Sequence, residues 1–279
     1  MDGFLIGLIG AGIQTSLSPA LHEAEATHLG LRYFYQLIDV AGSNHDTGEL
    51  LRAARLLGFR GLNITHPGKQ RVLEHLDELS PGAAAIGAVN TVLFEDGRAI
   101  GHNTDGHGFT ESLRRGLPHA PISSVVQLGA GGAGAAVAFS IVRRGAPRLT
   151  IVDVDESRAA RLAHRAGAES APPARLPDLL ATADGLVNTT PVGMEGTPGL
   201  PLDPALLHPG LWVADIVYRP LETALLRAAR EAGCATLDGG GMVVHQAAEA
   251  FRLFTGRTPE IARMTRHFAE LTARAGSHA

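Results

Sequence analysis

The chain is short of the residues that hold together secreted, metal-centred and nucleic-acid-binding proteins. Its single cysteine, Cys234, leaves no intrachain disulfide to form, and its 13 histidines fall into no Cys/His pattern with zinc-ligand spacing. A reducing cytoplasm and no metal are therefore expected. Excess positive charge is also missing, because 24 Lys and Arg stand against 28 Asp and Glu for a net charge of −4. That balance gives no broad field to neutralise phosphates, so no nucleic-acid partner is expected. Long apolar runs are absent too: nothing reaches the roughly 18 residues a membrane-spanning helix needs. The apolar opening FLIGLIGAGI follows Asp2 rather than a basic region and is broken by glycine, so it reads as a buried first strand rather than a signal peptide.

What is there is a globular composition of enzyme size. At 279 residues, with 45% hydrophobic and 19% charged, the chain exceeds the length at which one core usually stops growing, and two domains are expected. Strand-like and helix-like segments alternate. After the first strand, Ser18 to Leu29 carries a proline at the first helical position, Tyr33 to Val40 reads as a strand, and Gly48 to Leu57 as a helix with one apolar face. GLNIT is a third strand ended by His66, Pro67 and Gly68; a helix is predicted over Gln70 to Leu79, and Ala88 to Asp105 as a hairpin turning at Asp96 and Gly97. Such alternation is the signature of a mostly parallel sheet with helices on its faces.

A connecting helix over Gly106 to Arg115 and a Pro-containing loop lead to a second start, SVVQLGAGGAG, followed by a helix to Arg144, a strand RLTIVDVD and a helix over Glu156 to Ala166. Further strands are predicted at GLVNTTP and LWVADIVY, and the tail from Met242 to Ala273 as helical. The expectation is a Rossmann domain over 105–241 and an α/β substrate domain over 1–104 plus 242–279, the tail being too long to serve only as a cap for the second domain.

Gly129, Gly131 and Gly134 match GxGxxG directly after an apolar strand and directly before an alanine-rich helix. The first glycine permits the tight turn, the second lets backbone approach a pyrophosphate, and the third lets helix and strand come close. The plain alternative is a glycine-rich turn without a ligand. Asp153 ends the next strand, where dinucleotide folds place a carboxylate on the ribose hydroxyls, and a 2′-phosphate about 4 Å away would meet roughly 4 kcal/mol of repulsion before screening. NAD is therefore favoured, with NADP still possible. Arg158 is the opposing feature; with Asp153, Asp155 and Glu156 ahead of it, it is taken as a helix-surface partner or an adenine contact.

Polar clusters punctuate the predicted strand ends: Ser16 and Ser18, Thr65 with Lys69, Asn90 with Thr91, and Asn103 to Asp105. Strand C-terminal ends gather along one edge of a parallel sheet, and hydroxyls, amides, a cation and an anion together suit a polyhydroxylated acid. Each also has a structural alternative. Ser18 fits an N-cap, Asn90 and Asn103 turn formers, Asp105 a helix cap and Lys69 a solvated helix residue.

The chain resembles the shikimate dehydrogenase family along nearly its whole length, in SLSP (Ser16–Pro19), NITHPGK (Asn63–Lys69), GAVNT (Gly87–Thr91), HNTDGHG (His102–Gly108), GAGGAG, NTTPVGM (Asn188–Met194) and GMVVHQAAEAF (Gly241–Phe251). The resemblance implies a reversible NAD(P)-dependent dehydrogenase acting on the C3 hydroxyl of shikimate, with Lys69 catalytic and Asp105 its partner. It implies substrate contacts from Ser16, Ser18, Thr65, Asn90, Tyr218 and Gln246. For the cofactor it implies Gly129, Ala130, Gly131, Gly132, Ala133, Asp153, Arg158, Thr190, Ile216 and Gly239. Two departures matter. Asp153-Val154-Asp155 stands where NADP-using members typically have Asn-Arg-Thr, which is similar to the NAD-using quinate/shikimate branch; Ser16-Leu17-Ser18 stands where quinate-active members often have Ser-Arg-Thr. A cyclitol carboxylic acid is the expected partner, with the protein a monomer or homodimer. The competing expectations are a quinate-preferring dehydrogenase and a catalytically silent nucleotide-binding regulator.

Overall fold

A computed structural model of the chain describes residues 3–42 and 46–276. The sequence-predicted first domain also includes residues 1–2, 43–45 and 277–279, which lie outside the described residues. The chain divides into two compact units, Met1–Thr104 with Val244–Ala279, and Asp105–Val243.

The first unit runs β1 (Gly3–Gly10), α1 (Ser18–His28), β2 (Arg32–Asp39), α2 (Thr47–Leu56), β3 (Gly61–Ile64), α3 (Gly68–Arg71), β4 (Glu78–Leu79), α4 (Pro81–Ile86), β5 (Thr91–Glu95) and β6 (Arg98–His102). Its sheet has the order β2-β1-β3-β5-β6-β4, parallel except that β5 runs against β3 and β6. The β5–β6 hairpin turns where the sequence predicts, with Asp96 and Gly97 both at positive φ (48° and 73°), the conformation a tight hairpin requires. Period-two alternation sorts the apolar side chains to two faces. Ile9, Leu62, Ile64 and Val92 enter one cluster, and Ile6, Leu8, Tyr35, Ala250 and Phe254 another.

The second unit runs α5 (Asp105–Gly116), β7 (Ser124–Leu128), α6 (Gly132–Arg143), β8 (Arg148–Val152), α7 (Glu156–Ala166), β9 (Glu169–Ala171), α8 (Leu176–Leu180), β10 (Gly185–Asn188), β11 (Trp212–Asp215), α9 (Ala224–Glu231) and β12 (Ala235–Leu237). Its sheet, β12-β11-β10-β7-β8-β9, is parallel throughout and doubly wound, the Rossmann arrangement. The strands are buried on both faces and read as near-continuous apolar runs, as in Val125, Val126, Ile151, Leu186, Val187 and Val213. α10 (Gly240–Thr255) and α11 (Ile261–Gly276) complete the chain.

One sequence expectation is corrected. The helix predicted over Gln70 to Leu79 is one turn of α3, a 3-10 turn at Val72–His75 and then β4. Sheet pairing overrides helix propensity there, because Asp77 N–H donates to the Ala99 carbonyl and the Asp77 carboxylate accepts from Ala99 N–H at 2.7 Å. The tail, expected to be helical, forms two helices, broken at Gly256, which takes φ 69°, with Pro259 following. α4, β9, α8, α9 and β12 have no counterpart in the sequence reading.

Candidate active site

In the first unit the polar residues singled out from the sequence stand at one edge of the sheet, where β1, β3 and β6 end and β5 begins. The Asp39 carboxylate closes the loop after β1 by accepting from Gly12 N–H (2.9 Å), Ile13 N–H (3.2 Å) and Gln14 Nε2 (3.2 Å). That loop delivers Ser16, whose Oγ accepts from Ser18 N–H at 3.3 Å, and Ser18 opens α1. After β3, Thr65 N–H bonds the Ile9 carbonyl and Thr65 O accepts from Gly68 N–H, so the turn into α3 is tied to the end of β1. Lys69 sits on that single-turn helix, and its carbonyl accepts from Val89 N–H at 2.8 Å, one residue before Asn90.

Asn90 and its neighbours form a buried amide and hydroxyl array. Asn90 Oδ1 accepts from Thr104 N–H at 2.7 Å and from Thr91 Oγ1 at 3.1 Å, while Asn90 Nδ2 donates to Thr104 Oγ1 at 2.9 Å. Asn63 Nδ2 donates to Thr91 Oγ1 (3.0 Å) and the Asn90 carbonyl (3.2 Å), and Thr104 Oγ1 reaches Gln246 Oε1 on α10 at 3.5 Å. Asn90, Thr91 and Thr104 are buried, so such complete pairing keeps them from carrying a desolvation penalty of about 1–3 kcal/mol each. Sequence reasoning named Asn90 and Gln246, included Thr104 only within the Asn103 to Asp105 cluster without a role, and gave Asn63 no role. Both lie inside runs already quoted, NIT and NTD, so the signal was an amide or hydroxyl at a strand end with no apolar partner.

In the second unit the loop after β7 has the geometry a dinucleotide needs. Gly129 takes φ 98°, and a Cβ on Gly134 would stand 2.6 Å from the Gly129 carbonyl oxygen and 2.8 Å from Thr189 Oγ1. A Cβ on Gly131, by contrast, would meet nothing within 4 Å, so backbone is open to a ligand there. Gly131 is the N-cap of α6 and no side chain caps that helix, whose first-turn N–H groups and dipole favour an anion. Ala130 N–H donates to Asp153 Oδ2 at 2.7 Å, and Asp153 Oδ1 accepts from Asp155 N–H at 2.9 Å. Asp153 thus fixes the loop and stands just past β8, while Val154 beside it is 94% exposed. Arg158 lies on α7 and pairs with Asp155 at 3.5 Å, the helix-surface placement the acidic run suggested. Gly132 and Ala133 lie in the first turn of α6.

The remaining cofactor candidates gather around a buried pair that the sequence reading did not name. Asn188 Oδ1 accepts from Thr190 N–H (3.1 Å) and Oγ1 (2.7 Å), and Asn188 Nδ2 donates to Asp215 Oδ1 at 3.0 Å. Asp215 also accepts from Val217 N–H (3.1 Å) and Thr223 Oγ1 (2.8 Å), which holds the turn containing Ile216 and Tyr218. Burial pushes the Asp215 carboxyl above its ordinary range, against the three hydrogen bonds. Gly239 lies against that turn, since a Cβ there would meet the Ile216 and Val217 carbonyl oxygens at 2.5 and 2.6 Å. Tyr218 is half-buried, and burial raises its phenol above the usual value. Asp105, the first residue of α5, is buried and belongs to this unit, whereas Lys69 belongs to the first.

A doubly wound sheet, an uncapped glycine loop and a strand-end carboxylate define the class: a protein with a Rossmann dinucleotide-binding domain. The family model for the shikimate dehydrogenase substrate binding domain matches residues 8–92, and that for the shikimate 5'-dehydrogenase C-terminal domain matches residues 239–267. A shikimate dehydrogenase (NADP(+)) of Streptomyces avermitilis is 60% identical, covering 98% of each chain. A quinate/shikimate dehydrogenase (NAD(+)) of Corynebacterium glutamicum is 48% identical over 97% of this chain and 99% of its own. The solved structure of quinate dehydrogenase from Corynebacterium glutamicum in complex with NAD has a TM-score of 0.91 at 47% identity, covering 97% of this chain and 100% of that one. The chain belongs to the shikimate dehydrogenase family. Among the described residues, no helix is long and apolar enough to cross a membrane.

Proposed function

We propose that the chain is a shikimate dehydrogenase that moves a hydride reversibly between NAD and the C3 carbinol of shikimate. The observation that carries the reading is the assembly of buried Asn90 and Thr104 with partly buried Gln246 into one hydrogen-bonded array beside the turn that bears Lys69. Such an array reads ring hydroxyls by fixed amide orientation. Ser16, Ser18 and Thr65 on the adjoining turns supply further hydroxyls for the acid, with Ser16 and Ser18 toward its carboxylate. Residues 1–104 with the C-terminal helices serve as the substrate domain, and 105–241 as the cofactor domain.

The nicotinamide ring supplies the hydride acceptor when bound. Lys69 takes the hydroxyl proton as hydride leaves and returns it in the reverse direction. The open backbone at Gly131 and the N-terminus of α6 take the pyrophosphate, and Asp153 takes the adenosine ribose hydroxyls. NAD is favoured over NADP because Arg158, the nearest candidate for a phosphate clamp, is engaged with Asp155. Ser16-Leu17-Ser18 in place of Ser-Arg-Thr favours shikimate over quinate. A cytoplasmic setting and a monomer or homodimer complete the proposal, the reduced and buried Cys234 being in keeping with the first.

Steady-state kinetics of shikimate or quinate against NAD or NADP test all of this in one matrix. Shikimate with NAD should give the highest kcat/KM. No turnover in any of the four combinations would overturn the function, and a strong NADP preference would overturn the cofactor assignment alone.

A further inference from the structure

We propose that Asp39 is a positioning residue for the substrate: its carboxylate fixes the loop after β1 and so sets where Ser16 and Ser18 stand. The inference rests on the substrate reading above. Alternation along β2 puts Tyr33, Tyr35 and Leu37 on the face that packs into the core of the first unit. Asp39 follows on that same face, where the pattern would continue with an apolar residue. Its register explains the exception. Asp39 stands opposite Gly10, the last residue of β1, so a carboxylate there lies beside the loop that leaves β1.

The loop meets that carboxylate with a nest of backbone donors. Gly12, at φ 68°, and Ile13 turn successive N–H groups toward it, Gly12 to Oδ1 at 2.9 Å and Ile13 to Oδ2 at 3.2 Å. Ala41 N–H gives Oδ1 a second bond at 2.9 Å, and Gln14 Nε2 gives Oδ2 a second at 3.2 Å. Each oxygen therefore serves two donors, and neither can be spared without releasing a pair. The Ala41 and Gly12 N–H groups foremost hold the carboxyl below its ordinary range, so the charged form is the one that closes the loop.

From the nest the order passes to the serines through backbone. Ile13, held by its N–H, accepts from Ser16 N–H at 2.9 Å with its carbonyl, and Ser16 Oγ accepts from Ser18 N–H at 3.3 Å. At its start the loop is tied to the turn before Lys69, since Ala11 N–H donates to the His66 carbonyl at 2.9 Å. One path of hydrogen bonds thus runs from the end of β2 to the head of α1. The Ile13 side chain is buried in the core and keeps the loop on the sheet by packing. Packing holds the loop down, and the carboxylate sets the direction of its N–H groups. Asp39→Ala separates the two, because it leaves Ile13 in place and deletes the nest's anion.

In the full chain, with whichever nicotinamide cofactor the wild type turns over faster, Asp39→Ala should raise KM for shikimate about tenfold, the scale of one lost hydrogen bond to a charged group. kcat should stay within about twofold and the cofactor KM should not move. Ser16 Oγ is the last link of the path, so in a Ser16→Ala background Asp39→Ala adds less than about threefold to the shikimate KM. A merely structural role would multiply the two effects and would shift kcat and the cofactor KM together. An unchanged shikimate KM in Asp39→Ala, a further rise of about threefold or more on Ser16→Ala, or a matching rise in the cofactor KM overturns the proposal. Should Asp39→Ala lose its thermal transition, Asp39→Asn keeps the shape while its Nδ2 faces one pair of donors, and it must give the same shikimate-only rise. Wild-type KM in Asp39→Asn overturns the proposal equally. A wild-type chain inactive on shikimate with either cofactor sinks the function itself, whereas an active wild type matched by Asp39→Ala sinks this inference alone.

Discussion

Replacing Asp153 by asparagine removes one charge at the end of β8 and leaves the shape almost unchanged, so it isolates what that charge does. With a 2′-phosphate about 4 Å from the carboxylate and an effective dielectric near 20, each charge pair costs about 4 kcal/mol. Asp153 is half-buried, so solvent screening takes this to about 2 kcal/mol, or roughly 30-fold in discrimination. A second effect has the opposite sense for NAD. The carboxylate accepts from Ala130 N–H at 2.7 Å with one oxygen and from Asp155 N–H at 2.9 Å with the other. Asparagine can keep only one of those bonds, because its Nδ2 would face an N–H, and the lost bond costs about 1 kcal/mol of loop order. The variant should therefore lose about fivefold in kcat/KM with NAD and gain with NADP. The assay is the ratio of kcat/KM values for the two cofactors at saturating shikimate, measured in wild type and variant. A ratio that does not fall by at least about tenfold would show that Asp153 does not set the preference.

Lys69→Ala should cut kcat by about 10² to 10⁴ with shikimate KM changed far less, and near-wild-type turnover would remove Lys69 from proton transfer. Gly134→Ala forces a methyl to within 2.6 Å of the Gly129 carbonyl oxygen, so KM for NAD should rise at least about tenfold while shikimate binding, followed calorimetrically without cofactor, is retained. Burial lowers His22 from 6.5 to about 3, so the unfolded chain takes up a proton that the folded chain refuses. Stability should be full above pH 6.5 and decline as pH falls toward 3, by up to about 1.4 kcal/mol per pH unit for this group, and denaturant titrations of His22→Gln should show a shallower decline over that window. Glu25, also buried, accepts from Arg263 Nε and Nη2 at 2.7 and 2.8 Å; burial pushes its carboxyl up, but Arg263 and the Glu260 N–H outweigh this and hold it below its ordinary range. Its contribution is present above the ordinary carboxylate pKa and lost as pH falls through the lowered one, and Glu25→Gln should cost about 2 kcal/mol in urea melts at pH 7.

What the sequence disclosed and what it hid divide along physical lines. Alternation of strands and helices, the Asp96–Gly97 turn and the glycine loop after β7 are local patterns, and each was legible because neighbouring residues alone determine it. Asp153 was legible for the same reason, being a fixed distance beyond that loop. The helix expected over Gln70 to Leu79 failed because β4 exists only through its pairing with β6, some twenty residues further on. α9 and β12 are a short helix and a three-residue strand, below the length at which periodicity separates the two classes. Tyr35 was invisible as a polar residue for a further reason. It alternates with exposed Phe34 and Gln36 on an edge strand, and nothing in that pattern says its hydroxyl meets Asn63, 28 residues later.

Each unit places behind its candidate site residues a buried side chain whose hydrogen bonds run to two different strand ends. Asn63 links Tyr35 on β2 to Asn90, and Asn188 with Asp215 links the Thr190 turn to the Ile216–Tyr218 turn. Gln127, fully buried in β7, does the same within one loop, donating to the Gly129 and Gly134 carbonyls at 2.9 Å each. Such side chains are costly, because any partner lost leaves a polar atom unpaired in a medium where pairing is worth most. Gln127 Oε1 already stands buried with no hydrogen-bond partner among the described residues, so the loop carries part of that cost in the native fold. An apolar residue would be cheaper at all three places, but it could not hold a backbone carbonyl or a hydroxyl in one orientation. The candidate ligand-binding residues sit on turns, and holding them within about 0.5 Å calls for support from beneath. Substitutions in this layer should therefore act on KM for one ligand at a time, according to which pair of turns they release.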